Sequence, residues 1–447
     1  MVEIHTHLHE TTRTGILSLP FEILGVVCGH CTSYNADAPL ILSLVNRTFH
    51  AVVHGTPRAW SKLKLSQSQG SERSLVRKAG LWFARACECG LDLFVDITGD
   101  QTLPFLIAFL SHHRENILTL NVQSTTELKA YDFLDAIFPS KPTSCPTHPA
   151  HLRNLRLRIT SDITQAAPSS WSPVWNSFDR FPGLRSLKLT NHILPALPTP
   201  NLSSLHTLCI LRPLRAPPLA THKIARLIRS APMLEVLEVD TRISVTPGVE
   251  GGIETNRLQK LSLRTNNLPS VLSLVAPATL EELRLIDLDG RRVGAAFQLG
   301  AAVKRISLGR LRSLEVSGVS FTSNGAENWQ WCINHMGKLE SMSISDFHGD
   351  SSNLVSLLTA GACSDLRYVC LSGLKALSPL QKLKMARPDV TVEWETVASR
   401  TRVFEIGVGS PSSMFEIQRE AEQEGQVKNV IGHCSGEIRM NDIDEFW

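Results

Sequence analysis

Residues 258–268 read LQKLSLRTNNL, and the order Leu258-x-x-Leu261-x-Leu263 within them recurs along most of the chain. It appears earlier as Leu152/Leu155/Leu157, Leu184/Leu187/Leu189, Leu205/Leu208/Ile210 and Leu234/Leu237/Val239. It returns as Leu280/Leu283/Leu285, Leu311/Leu314/Val316, Leu339/Met342/Ile344 and Leu366/Val369/Leu371. Alternation with period two marks a strand whose last two leucines share one side. Successive starts lie roughly 21 to 35 residues apart, enough for one strand plus one helix or loop. Leucines of such a unit are buried only by the next unit, so a single copy cannot fold and the array must stack.

Working outward, the same strand-and-helix rhythm begins before the first full copy. Ser71 to Cys87 has helical character, Leu91 to Ile97 alternates as a strand, Leu103 to His112 is a helix and Ile117 to Val122 a strand. Helices over Ile224 to Ser230 and Trp329 to Met336 stop at Pro232 and Gly337. Val390-Thr-Val392-Glu-Trp394 reads as a closing strand. Proline-rich stretches at Pro139 to Pro149, Pro195 to Pro200 and Pro213 to Pro218 read as loops between units. Beyond Glu395 the period is lost and acid exceeds base, with a helical stretch near Phe415 to Glu424.

Upstream, residues 16–65 read ILSLPFEILGVVCGHCTSYNADAPLILSLVNRTFHAVVHGTPRAWSKLKL. Pro20 precedes the apolar run Phe21, Ile23, Leu24 and Val27, and a proline in a first helical turn lacks only an N–H that had no partner. A second run, Ile41, Leu42, Leu44, Val45, Phe49 and Val52, follows a polar gap with helical spacing. Some fifty residues in two or three short helices is little chain for a free-standing core, so this segment is expected to lean on a partner. Leu19, Pro20, Glu22, Ile23, Leu24, Val45, Arg47, Phe49, Pro57 and Trp60 fall in the order of the F-box motif, which the segment resembles. Asn46 stands where that motif has cysteine, and Phe49 where tryptophan is common. The stretch from Leu258, with Asn266 and Leu268 in place, resembles the full leucine-rich consensus. Most other units lack the asparagine, as in F-box proteins with degenerate leucine-rich repeats.

These resemblances imply an α/β chain with an N-terminal F-box-like helical module followed by an irregular leucine-rich-repeat solenoid. The expected divisions are a flexible 1–15, the helical module 16–65, the repeats 66–394 and an unassigned tail 395–447. The implied function is that of a non-enzymatic substrate-recognition adaptor in a Skp-cullin-F-box ubiquitin ligase. Its partners are the Skp-type linker, the cullin ligase subunits and an unidentified target protein. The resemblance assigns linker binding to Leu19, Pro20, Glu22, Ile23, Leu24, Val45, Phe49 and Trp60. Residues between the strand leucines face away from the core, and three cations on two adjacent strands, Arg156, Arg158 and Lys188, are the candidates for target binding.

Other classes fare worse. A formal charge of +3 on 45 basic and 42 acidic residues gives no global case for nucleic acid or membrane binding. No apolar run approaches a membrane span and the N-terminus lacks a secretory core, so a cytoplasmic or nuclear protein is expected. Ten scattered cysteines in so long a chain fit reduced thiols rather than a disulfide framework. Cys28-Gly-His-Cys31 has disulfide-exchange spacing but falls at the end of the apolar helix and precedes a loop, instead of opening a helix after a strand. His5, His7 and His9 alternate as metal ligands can, yet no downstream His, Lys and Asp set completes a hydrolase site. No phosphate-cradling loop, nucleophile elbow or zinc-protease motif occurs, and neither cofactor nor metal is expected. A repeat scaffold outside ubiquitination and a histidine-rich metal hydrolase are the alternatives.

Overall fold

The computed structural model describes residues 15–396 except 88, 140–150, 161–180, 193–201, 249–251, 290–299, 302, 305, 319, 322, 346–347, 350 and 375–377. His5, His7, His9 and the stretch 415–424 lie outside the described residues, as does the metal-hydrolase reading that rests on those histidines. Three helices open the described chain: α1 (Phe21–Tyr34), α2 (Ala38–Ser43) and α3 (Arg47–His54). Strand β1 (Lys62–Ser66) and helix α4 (Glu72–Ala86) follow, then β2 (Leu91–Ile97), α5 (Pro104–His112), β3 (Ile117–Ser124) and α6 (Glu127–Ile137). Next come β4 (Asn154–Ile159), β5 (Ser186–Thr190) and β6 (Thr207–Leu211). Strands continue through Val236–Asp240, Lys260–Thr265, Glu282–Asp287, Ser313–Ser317, Ser341–Ser345 and Tyr368–Leu374 to Thr391–Thr396. All belong to one 13-stranded sheet laid down in chain order, each strand parallel to its neighbours.

The leucines set the register of that sheet. Leu155, Leu187, Leu208, Leu237, Leu261, Leu283, Leu314, Met342 and Val369 stand opposite one another across successive strands. Leu157, Leu189, Ile210, Val239, Leu263, Leu285, Val316, Ile344 and Leu371 form a second such row, and both rows are buried. A slip of one residue would turn every one of these side chains to water, at about 1.5–3 kcal/mol each, so the pairing has no close competitor. The leucine that opens each unit is buried too, and the chain just before each strand extends the ladder. Arg185 donates to the Arg153 carbonyl at 2.7 Å, Glu235 to His206 at 2.8 Å and Gln259 to Glu235 at 2.8 Å. Asn266, the residue that stood out in the sequence, accepts the Ile243 N–H at 2.6 Å and ties one unit's turn to the next.

A parallel sheet covered on both faces has nearly continuous apolar strands. Here burial alternates, as in β2 and β4, so one face packs on helices and loops while the other faces solvent. That open face is where the intervening polar side chains stand.

The expected architecture requires correction. An α/β fold is present, but as one open 13-stranded parallel sheet with helices; neither a closed solenoid nor a separate F-box-like helical module is evident among the described residues. The physical reason lies in the junction. Trp60, which follows α3, meets Trp82 of α4 edge-on at 5.1 Å, and Lys78 of α4 pairs with Asp37 beside α2 at 2.6 Å. Leu24, Phe49 and Trp60 belong to the same apolar core as the sheet leucines, so the first helices are continuous with it.

The second apolar run is also broken. Instead of one helix it forms α2 and α3, because Asn46 caps α3: its Oδ1 accepts the Phe49 N–H at 2.8 Å. Asn46→Ala is expected to cost about 1 kcal/mol in urea unfolding, the usual price of an N-cap. An unchanged midpoint would remove the cap from the account of this break. No described helix is long and apolar enough to cross a membrane.

Candidate functional site

Helix α1 starts where Pro20 supplies an extended N-cap, and it carries Phe21, Ile23, Leu24, Val26, Val27 and Cys28 in eight residues. An amphipathic helix keeps such side chains on one stripe; these go all the way round. The buried stripe is Leu24, Gly25, Cys28 and Thr32. Ile23 and Val26 stand on the other side and are 48% and 58% exposed. Gly25 is needed at its position, because a Cβ there would come 2.8 Å from the Thr56 hydroxyl.

The eight linker-binding candidates therefore separate into two sets. Leu19, Pro20, Glu22, Ile23 and Val45 are exposed, whereas Leu24, Phe49 and Trp60 are core residues. Trp60 is further fixed by its indole N–H, which donates to the Val53 carbonyl at 2.9 Å. Exposed Ile16, Leu17, Phe21, Val26, Ile41 and Leu44 join the first set. Motif matching passed over most of these as contact residues. The signal available was apolar content on both sides of a short helix. Most of the large hydrophobic side chains that are exposed among the described residues come from residues 16–45. Monomeric surfaces seldom gather so much apolar area in one segment, and such patches mark interaction sites.

Within α1, Cys28 is buried in the helix core, and burial, reinforced by the charge of Cys31, pushes its thiol pKa up. A thiol used in disulfide exchange needs the opposite shift. Burial also raises Cys209 and Cys332 to about 12 and Cys363 to about 11. In the native protein at pH 8, iodoacetamide is therefore expected to label exposed Cys87 well before these four, which should react at full rate only after unfolding. Peptide mapping by mass spectrometry reads the order; rapid native labelling of Cys28 would contradict it.

A buried polar group lies elsewhere, between α6 and the turn after β5. The Tyr131 hydroxyl is 2.6 Å from His192 Nε2, and His192 Nδ1 is 3.4 Å from Glu127 Oε1. Burial drives the Tyr131 pKa far up, so the phenol stays protonated and can donate to Nε2. Its order mimics a proton relay. Yet Tyr131 and His192 are 2% and 1% exposed, which leaves a substrate no access, so the group acts as a structural tie.

On the open sheet face, Arg156 of β4 stands opposite Lys188 of β5, with Arg158 two residues along β4. Both arginines are exposed and Lys188 is half-buried. Further along the face, cations meet carboxylates: Lys260 with Glu282 at 2.6 Å, Arg264 with Asp240 at 3.4 Å, and Arg284 with Glu315 at 3.0 Å. At the far end Tyr368 donates to Glu393 at 2.7 Å. The three cations expected from the sequence thus stand on β4 and β5, and a row of ion pairs separates them from Ser313, Ser317, Ser341, Ser343 and Ser345 on the later strands Ser313–Ser317 and Ser341–Ser345. No family model matches the chain, and no curated protein matches it.

Proposed function

We propose that this chain is a non-enzymatic substrate-recognition adaptor of a Skp-cullin-F-box ubiquitin ligase, with the exposed apolar face of residues 16–45 seated on the Skp-type linker. One observation carries the reading. The positions at which the F-box resemblance and the exposed apolar surface coincide are Leu19, Pro20, Ile23 and Val45. A residue conforming to a motif for packing reasons alone would be buried, as Leu24, Phe49 and Trp60 are. Exposed apolar conformity is what a docking face requires.

In this reading the N-terminal helices hold the linker, the long sheet presents its open face to a target protein, and ubiquitin transfer comes from other subunits by proximity. The chain itself needs no cofactor, and its place of action is the cytoplasm or nucleus, where such ligases work. The test is direct: full-length protein mixed with recombinant Skp-type linker should elute as a stoichiometric complex and give sub-micromolar binding by calorimetry. If the two proteins elute apart at tens of micromolar, the chain is an interaction scaffold outside ubiquitination.

A further inference from the structure

Arg212 immediately follows β6, and its backbone N–H donates to the Asp240 carbonyl at 2.7 Å, which fixes where its side chain begins. The residue is 7% exposed. Its Nε is enclosed, and neither a hydrogen bond nor an ion pair reaches the guanidinium among the described residues. Folded proteins pair and hydrogen-bond their buried guanidinium groups, because a desolvated charge left alone is costly.

The surroundings sharpen the anomaly. Helix α7 (Thr221–Ser230) brings Lys223 within reach of the Arg212 charge: burial, and then that charge, pull the Lys223 pKa down. Burial lowers the Arg212 pKa as well, and the Glu127 carboxylate opposes the shift. That carboxylate is engaged elsewhere, since Glu127 Oε1 lies 3.4 Å from His192 Nδ1 and His192 is tied in turn to Tyr131. With the Tyr131 hydroxyl donating to Nε2, the imidazole is neutral and its proton sits on Nδ1, toward Glu127. Two cations therefore stand against one carboxylate in a place largely closed to water.

A water molecule would satisfy Nε and leave the excess charge untouched. A single carboxylate removes both faults: it carries one negative charge, and its two oxygens match the guanidinium fork, with Lys223 as a further donor. A phosphate dianion would exceed the charge to be balanced and would face Glu127. Position agrees with a ligand. Glu127, His192 and Arg212 stand just beyond the carboxyl ends of the parallel strands β3, β5 and β6, the side of an open α/β sheet on which small molecules bind. Lys223 is half-buried, so the approach from water runs along α7.

We propose that Arg212 and Lys223 bind the carboxylate of a small organic acid between α6 and α7. The site shares no residue with the apolar face of residues 16–45, and the proposal stands or falls separately from linker docking.

The test uses the full-length protein in chloride buffer, with sodium acetate, propionate and benzoate as probes at constant ionic strength, followed by thermal unfolding and by isothermal titration. A saturable rise in Tm is expected with at least one of the acids, larger than inorganic phosphate gives at the same ionic strength. Arg212→Met should abolish that response. Arg212→Lys keeps the charge without the planar fork, and Lys223→Met removes the second donor; each should weaken binding of the best acid at least tenfold. R312A, which removes an exposed arginine paired to Glu340 at 3.5 Å, should leave the response unchanged and serves as the control for general charge loss. Should Arg212→Met fail to fold, the two milder variants carry the comparison. No saturable response in the wild-type protein would mean that Nε is hydrated and nothing more, and would overturn the proposal. So would a larger response to phosphate, a wild-type response in Arg212→Met, or unchanged affinity in both Arg212→Lys and Lys223→Met.

Discussion

Replacing Trp60 with alanine is expected to destabilise the protein by about 3–5 kcal/mol, the cost of emptying a large aromatic site in a packed core. Trp60 is 1% exposed, and its ring meets Trp82 edge-on with centroids 5.1 Å apart. The substitution therefore removes an aromatic pair worth about 0.5–1.5 kcal/mol beyond its area. It also strips the Val53 carbonyl of its indole donor and opens the joint between α3 and α4. A loss of that size is a large part of the stability of an ordinary domain, about 5–15 kcal/mol. Chemical unfolding followed by circular dichroism should show a clearly lowered midpoint. Trp60→Phe should recover most of the difference, because a ring would again face Trp82. The informative contrast is with a docking residue: were Trp60 a linker contact, its truncation would spare the midpoint and abolish the complex. A wild-type midpoint for Trp60→Ala would refute the placement of this side chain in the core.

How far the fold could be read in the sequence follows from which forces are local. The strand leucines were legible because period two fixes their side and stacking fixes their partners, and the last two positions of each Leu-x-x-Leu-x-Leu copy from Leu152 to Leu371 lie on a sheet strand. What periodicity could not fix was which side of α1 is inside. With Phe21, Ile23, Leu24, Val26 and Val27 all apolar, a helical pattern offers two candidate core stripes, and only the packing of α1 on α2, α3 and the turn Pro57–Trp60 selects Leu24 and Cys28. The eight linker-binding candidates divided for that reason.

Asn46 shows a different limit. As a departure from the motif it read as a packing change, while its effect is to start a new helix by capping it, a backbone matter that a side-chain pattern does not carry. The separate module failed through contacts distant in sequence, Trp60 with Trp82 and Asp37 with Lys78, which fuse the helices to the sheet. Tyr131 and His192 lie 61 positions apart in the chain, and nothing near either residue announces that they meet. Conversely, only register shows that Arg264 and Arg284 are neutralised by carboxylates on adjacent strands. Cationic residues are visible in a sequence; whether they are compensated is a property of the pairing.

Glutamate at both Ile23 and Val45 is expected to lower affinity for the Skp-type linker by roughly a thousandfold or more while leaving the fold intact. Each side chain is about half exposed, at 48% and 57%, so a charged replacement stays in water in the free protein and costs little stability. In the complex the same positions would be covered. Losing two aliphatic contacts on side chains already about half buried removes about 1.5–3 kcal/mol in total, and burying unpaired carboxylates supplies the rest of the roughly 4 kcal/mol that corresponds to a thousandfold. Met385, 76% exposed on the last described helix, supplies the matched control: Met385→Glu should change neither affinity nor unfolding. Together with Trp60→Ala the pair forms a double dissociation, one variant losing stability, the other losing binding at constant stability. Calorimetric titration with the linker, beside urea unfolding of the same preparations, measures both axes. Wild-type affinity in the Ile23→Glu/Val45→Glu protein would move the docking surface off α1 and the α2–α3 junction, and with it the adaptor reading. A lowered unfolding midpoint in that variant would show instead that these side chains are packed within the chain, and the exposed face would lose its claim to a partner.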